Sequence, residues 1–388
     1  MDQPISAQSI MCDFADVTGL SNTSCAPRRY LWTDAFAVCN YLELYRQTGA
    51  QTFLKMALKL VDQVHQVLGQ HRQDSVHNGW LSGLDEEQAR QHPTAGGLRI
   101  GKRLNERFSG EAVSGSLEWE QDGQYFHYLT KWMHALNCVS RDTGNGIYNQ
   151  WALELARVAH VAFTYTPSEG GAKRMYWKMS IDLSRPLVDS MGQHDPLDGL
   201  ITYQQLEATT KRFPDTSPGF SLKTEIEEVV AMCSGHSWAT QDPLGIGGLL
   251  SDAYRLVQLI DTYHLQETIR LEALLVDIKH SLRAFVTLNQ LNLPADHRLA
   301  FRELGLSIGL HALNRIQKQI ELNPGHFINV DHLRPLLATL FHFHPIHELI
   351  ESFWLEDSHQ LVKTWQEHMD INSVMLATSL APDGYLQL

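Results

Sequence analysis

The sequence predicts an all-α protein, a single domain over residues 1–388 made of helical hairpins that close on one another. Three observations predict it. Apolar residues recur at helical spacing along nearly the whole chain, and strand signals are almost absent. Three segments share one layout of helix, short turn and helix: "YLELYRQTGAQTFLKMALKLVDQVH" (41–65), "LNCVSRDTGNGIYNQWALELARVAH" (136–160) and "LVQLIDTYHLQETIRLEALLVDIKH" (256–280). The stretches around them (70–121, 166–194 and 285–297) are loop-rich and unequal, whereas an open solenoid keeps a near-constant period. Repeated αα units cannot bury their faces alone, so they must stack or close.

The first two hairpins align without a gap at an offset of 95. Arg46 falls on Arg141, Thr48-Gly49 on Thr143-Gly144, Ala57-Leu58 on Ala152-Leu153 and His65 on His160. The third aligns with the first at an offset of 215, which puts His280 on His65. A glycine in the turn suits a helix C-cap followed by an antiparallel return. The recurring histidines are expected at the end of each second helix, where a cation meets the helix dipole, in a structural role.

With this layout, and with the phrases "RRYLWTDAF" (28–36) and "DGQYFHYLTKWMHAL" (122–136), the chain resembles the (α/α)6 toroids. These include the six-hairpin glycosidase-like proteins and the N-acylglucosamine 2-epimerase group. The resemblance implies six hairpins in an inner and an outer ring of helices. The inner helices then start at one mouth, with long loops around 70–121 and 166–194 beside it. It also implies where chemistry sits: acidic side chains at the mouth in the glycosidase-like proteins, or two histidines facing across the cavity in the epimerases.

Each candidate inner helix has an aspartate at its start: Asp34, Asp122, Asp195 ("DPLDGL"), Asp242 ("DPLGIG"), Asp296 and Asp370. Aspartate is a preferred N-cap, and proline after it is pre-set for the first helical position, so both "DPL" runs read first as caps. A ring of caps is also a ring of carboxylates. Asp198, which suits the helix dipole but is not needed as a cap, is available for chemistry on this reading. Asp34, Asp122, Asp195 and Asp198 are the acid/base candidates for cleaving a glycosidic or unsaturated uronyl linkage. His127, His194 and His236 are the candidates for epimerisation. A toroid without catalysis, which only binds a sugar or serves as a scaffold, is the third reading.

Binding residues are expected beside them. Trp32, Trp119 and Trp238 offer flat rings for a sugar face, Arg29 a charge, and Tyr125 a hydroxyl near a helix start. Tyr125, Leu129 and Trp132 also form a stripe that reads equally as core. The loop "HPTAGGLRIGKRLNERF" (92–108) is basic in an acidic chain, and Arg99 and Lys102, with Arg103 and Arg107, suit an anionic substrate group or a solvated face. It is no nucleotide-binding loop, because Arg103 stands where Ser or Thr would bind magnesium and no buried strand precedes it. In "FHFHPIHE" (341–348), Pro345 breaks the helix that a ligand pair would need, and no metal site or cofactor is expected.

Composition sets the remaining bounds. A formal charge of −13 argues against nucleic acid or an anionic membrane as partner and leaves a sugar or oligosaccharide, anionic ones included. Cys12, Cys25, Cys39, Cys138 and Cys233 are scattered without metal or disulfide spacing. With no secretory leader pattern, a cytoplasmic protein is expected.

Overall fold

The computed structural model describes residues 6–21, 26–108, 110–111, 114–214, 216 and 219–388, so Cys25 lies outside it. Packing divides the chain into two compact units, one of Ala15–Ser234 and one of the residues up to Phe14 with Gly235–Leu388.

The first unit holds three hairpins: α1 (Leu31–Thr48) with α2 (Gln51–Leu68), α3 (Phe126–Thr143) with α4 (Ile147–Phe163), and α5 (Asp195–Thr210) with α6 (Lys223–Cys233). α3 packs against both α1 and α5. These three are buried nearly all round, while α2, α4 and α6 bury a single stripe, as inner and outer helices should. The repeat holds at the level of atoms. Gly49 (φ 70°) and Gly144 (φ 71°) both leave their helices left-handed. The hydroxyls of Thr48 and Thr143 donate to Leu44 and Val139 and accept from the amides of Ala50 and Asn145.

In the second unit α7 (Pro243–Tyr263) pairs with α8 (Leu271–Thr287), and His264 (φ 52°) takes the left-handed position of Gly49. α9 (Ala300–Leu322) is backed by α10 (Val330–Phe341) and α11 (Ile346–Leu355), and α12 (Met369–Leu380) packs on α9. α7 and α9 touch through glycine, since a Cβ on Gly247 would stand 1.9 Å from the Gly305 carbonyl oxygen. Each unit thus carries a row of three buried helices, α1–α3–α5 in the first and α7–α9–α12 in the second.

Some local expectations need correction. His65 and His160 do end their helices, but His280 lies in the middle of α8 and is exposed. His65 carries no charge at neutral pH. It accepts from Trp132 Nε1 at 3.2 Å, and burial pushes it down to about 3. Asp296 lies in a 3-10 turn before α9 and is exposed. Short antiparallel strands also occur: Lys178–Met179 pairs with Gln124–Tyr125 on one side and Pro186–Val188 on the other. Two-residue runs leave no periodicity to read, yet this pairing ties the 166–194 loop to the start of α3. No helix among the described residues is long and apolar enough to cross a membrane.

Candidate active site

The two "DPL" runs differ in a way that decides the site. At α7, Asp242 is the N-cap and accepts from the Gly245 amide at 3.2 Å, with Pro243 first in the helix. At α5 the helix starts one residue earlier in the motif. His194 holds the cap position and Asp195 is already helical, with no side-chain cap bond at this end. The Asp195 carboxyl is therefore not used to start the helix.

Asp195 is 5% exposed. Its Oδ2 has no hydrogen-bond partner among the described residues, and its Oδ1 lies 3.7 Å from His127 Nδ1. Burial, then the nearby charge of Asp198, pushes this carboxyl up to about 7. Asp198 is held differently: Lys131 Nζ donates to Oδ1 at 2.7 Å and the Thr130 hydroxyl donates to Oδ2. One carboxyl is thus paired with a cation, and its neighbour is placed to take or give a proton near neutral pH. His127 is pushed down to about 3 by burial and by Lys131, so its imidazole is neutral.

Rings surround this pair. His127 stacks on Tyr125 at 5.2 Å and on Trp177 at 6.2 Å, and meets Trp32 at 6.1 Å and Tyr128 at 4.9 Å. Trp119, half exposed at 50%, sets its edge on Trp177 at 4.9 Å. The strand pairing brings Trp177 here. Lys178, beside it, is fully buried and donates to Glu118 Oε1 and to the Glu118 and Gln121 carbonyls. Trp32 Nε1 is buried with no hydrogen-bond partner among the described residues. The starts of α1, α3 and α5 therefore meet at one aromatic patch.

Several sequence candidates are engaged in holding that patch. Asp34 opens no helix; it lies in the first turn of α1, where it accepts from the Tyr30 amide at 2.8 Å and pairs with Arg29. Arg29 also donates to the Thr18 carbonyl and is buried, so it braces the start of α1. Asp122 is likewise no cap, because the Gln124–Tyr125 strand separates it from α3. It accepts from Arg99, Arg72 and the amides of Gly101 and Gly123. Arg99 spends its remaining donors on the Gln70 and Val67 carbonyls, so the basic loop is pinned inward by it. Arg107 pairs with Glu118. Lys102 differs, with Nζ 5.4 Å from the Tyr30 ring centre.

His194 is half-buried at the α5 cap. His236 and Trp238 belong to the second unit, where exposed His236 stacks on buried Trp238 at 5.6 Å. The first unit also has a depression of about 380 Å³ lined by Leu81, Gly96, Arg157, Val161 and Asp182, which includes none of the candidate residues.

Lys131, Thr130, Tyr128 and Trp177 were missed in the sequence. Lys131 had a signal: a lysine four residues after His127 on a buried helix needs an anion. Trp177 had none, because its place depends on strand pairing.

Gly192 adds a test. A Cβ there would stand 2.4 Å from Asp195 Oδ2. Gly192→Ala should shift the carboxyl; with Asp195 in the role proposed below, kcat falls about 10-fold to 100-fold, and the overpacking lowers the melting temperature. Equal kcat in both proteins would show that the position of this carboxyl is immaterial.

No family model and no curated relative matches the chain. Among solved structures it is similar to cellobiose 2-epimerase from Spirochaeta thermophila DSM 6192, with 14% identity over 87% of this chain and 84% of that one, and a TM-score of 0.46. It is also similar to a sugar epimerase from a ruminal bacterium, with 8% identity over 87% of this chain and 85% of that one, and a TM-score of 0.45.

Proposed function

We propose that the chain is a carbohydrate-active enzyme that moves a proton on a sugar, with Asp195 as the acid/base group. One observation carries this reading: a buried carboxyl with no Lys or Arg paired to it among the described residues, raised to about 7, lies 3.7 Å from a neutral imidazole. A carboxylate base beside a neutral imidazole is the pair that enolisation of a carbonyl sugar needs. Asp195 takes the proton from the carbon next to the carbonyl, while His127 donates a hydrogen bond to the carbonyl oxygen. The carboxyl exchanges its proton with solvent; delivery to the other face, once the enolate has turned, gives the epimer, and delivery to the former carbonyl carbon, with the neighbouring hydroxyl proton passing to the former carbonyl oxygen, gives the isomer. The rings of Trp32, Tyr125 and Trp177 supply apolar faces for the sugar.

Hydrolysis of a glycosidic or unsaturated uronyl linkage is the second reading. The difference between the two carboxyls favours it, with Asp195 as the acid that protonates the leaving oxygen or the enol-ether carbon. Both oxygens of Asp198 are engaged, which leaves hydrolysis without the unencumbered second carboxylate that the sequence suggested.

The test uses the full-length protein with a panel of reducing sugars and oligosaccharides, uronyl-terminated ones included, in deuterated water. Epimerisation or isomerisation gives deuterium beside the carbonyl and no new reducing ends. Hydrolysis gives new reducing ends. Neither across the panel would refute both readings. The pH profile separates them again: a base must be ionised, so activity rises through about 7, whereas an acid must keep its proton, so activity falls there.

A further inference from the structure

The second unit holds a histidine cluster that the proposed reaction does not use. The sequence placed three histidines in "FHFHPIHE" and set metal binding aside because Pro345 interrupts the helix. In the structure Pro345 is the residue before α11, and the turn that contains it brings His344 and His347 to one side. α9 adds His311. The ring centres of His311 and His347 are 4.1 Å apart, and those of His344 and His347 are 4.5 Å apart. One nitrogen from each of the three rings lies within 4.8 Å of the others.

We infer that His311, His344 and His347 form a binding site for a divalent first-row transition ion of the zinc class, with Glu351 as orienting carboxylate or fourth ligand. Zinc holds its ligand nitrogens at about 2.0–2.1 Å, hence about 3.4 Å from one another, so small inward turns of the rings close the set. The surroundings are those of a metal site. Glu351 Oε1 faces His311 Nε2 at 2.8 Å and accepts from the Ser307 hydroxyl at 2.5 Å. Asn314 Nδ2 donates to His344 Nε2 at 2.8 Å and fixes that ring. The Nδ1 of His347 is buried, has no hydrogen-bond partner among the described residues and lies 3.5 Å from Glu351 Oε2. A buried ring nitrogen left without a bond is costly unless something occupies it. Imidazoles with a carboxylate suit zinc, cobalt, nickel or copper and not calcium or magnesium. A bound ion joins α9 to α11.

The first unit has a second triad, where Cys39 and Cys138, far apart in sequence, meet at His134. It serves as the control. Full-length protein without an affinity tag is stripped with chelator, then titrated with zinc by calorimetry and with cobalt by absorption. The expected result is one equivalent bound at micromolar or tighter affinity, a higher melting temperature with zinc, and cobalt bands without a strong thiolate charge-transfer feature. His344→Ala, at a half-buried ring, should weaken zinc about 100-fold and Glu351→Gln about 10-fold, while Cys39→Ser leaves it unchanged. No stoichiometric binding to the wild type would overturn the inference. So would unaltered binding to His344→Ala, or binding lost only in Cys39→Ser.

Discussion

Asp195→Asn will lower turnover on the order of 1,000-fold while the protein stays folded. The amide keeps the shape of the side chain but can neither take nor give the proton. The same variant reports on stability. In the folded protein this carboxyl is raised to about 7, whereas in the unfolded chain it titrates near the ordinary value of about 4. Between those values the unfolded chain binds fewer protons than the folded one, so this contribution to stability falls as pH rises from about 4 to 7 and is level above. The amide does not titrate, so that slope disappears, and the variant should gain on wild type by roughly 2–4 kcal/mol between pH 4.5 and 7.5. His127, pushed down to about 3, has the opposite sign: its contribution is full above about 6.5, is lost as pH falls toward 3, and remains in the variant. Denaturant melts at the two pH values, with assays beside them, check both parts. Wild-type turnover in the variant would remove Asp195 from the mechanism, and a constant stability difference would mean that the carboxyl titrates normally.

The second large effect concerns stability. Asp198→Asn leaves the Lys131 ammonium, buried in α3, without its carboxylate, and the fold should lose roughly 3–5 kcal/mol. In the sequence Asp198 reads as available for chemistry; in the structure it neutralises a buried cation. Adding Lys131→Met in the same chain removes the stranded charge, and the double variant should recover most of the loss. Urea midpoints of the three proteins measure this. A single variant as stable as wild type would show that the ion pair contributes nothing.

The parts of the fold visible in the sequence are those with local causes. Hairpins, their glycine turns and the Asp242 cap follow from neighbouring residues, so periodicity and capping chemistry found them. The helix starts that the structure brings together at the aromatic patch were visible for the same reason, since a helix start is a local feature. Roles within it were not. Asp34, Asp122, Asp195 and Asp198 look alike in the sequence, and their differences come from partners far along the chain: Asp122 meets Arg72 and Arg99, and Asp198 meets Lys131, whereas Asp195 meets an imidazole and no cation. The shift of one residue between the two "DPL" helix starts is likewise set by packing.

The aromatic patch has a consequence for when the carboxyl at position 195 acquires its raised pKa. It draws on Trp32, Tyr125–Tyr128 and Trp177, three segments that meet only when the 178–179 strand docks on 124–125. In the unfolded chain the side chain at position 195 stands in water as an ordinary, fully ionised carboxylate. An unfolded chain thus carries no carboxyl at this position that keeps its proton near neutral pH, and that property arises only with long-range packing.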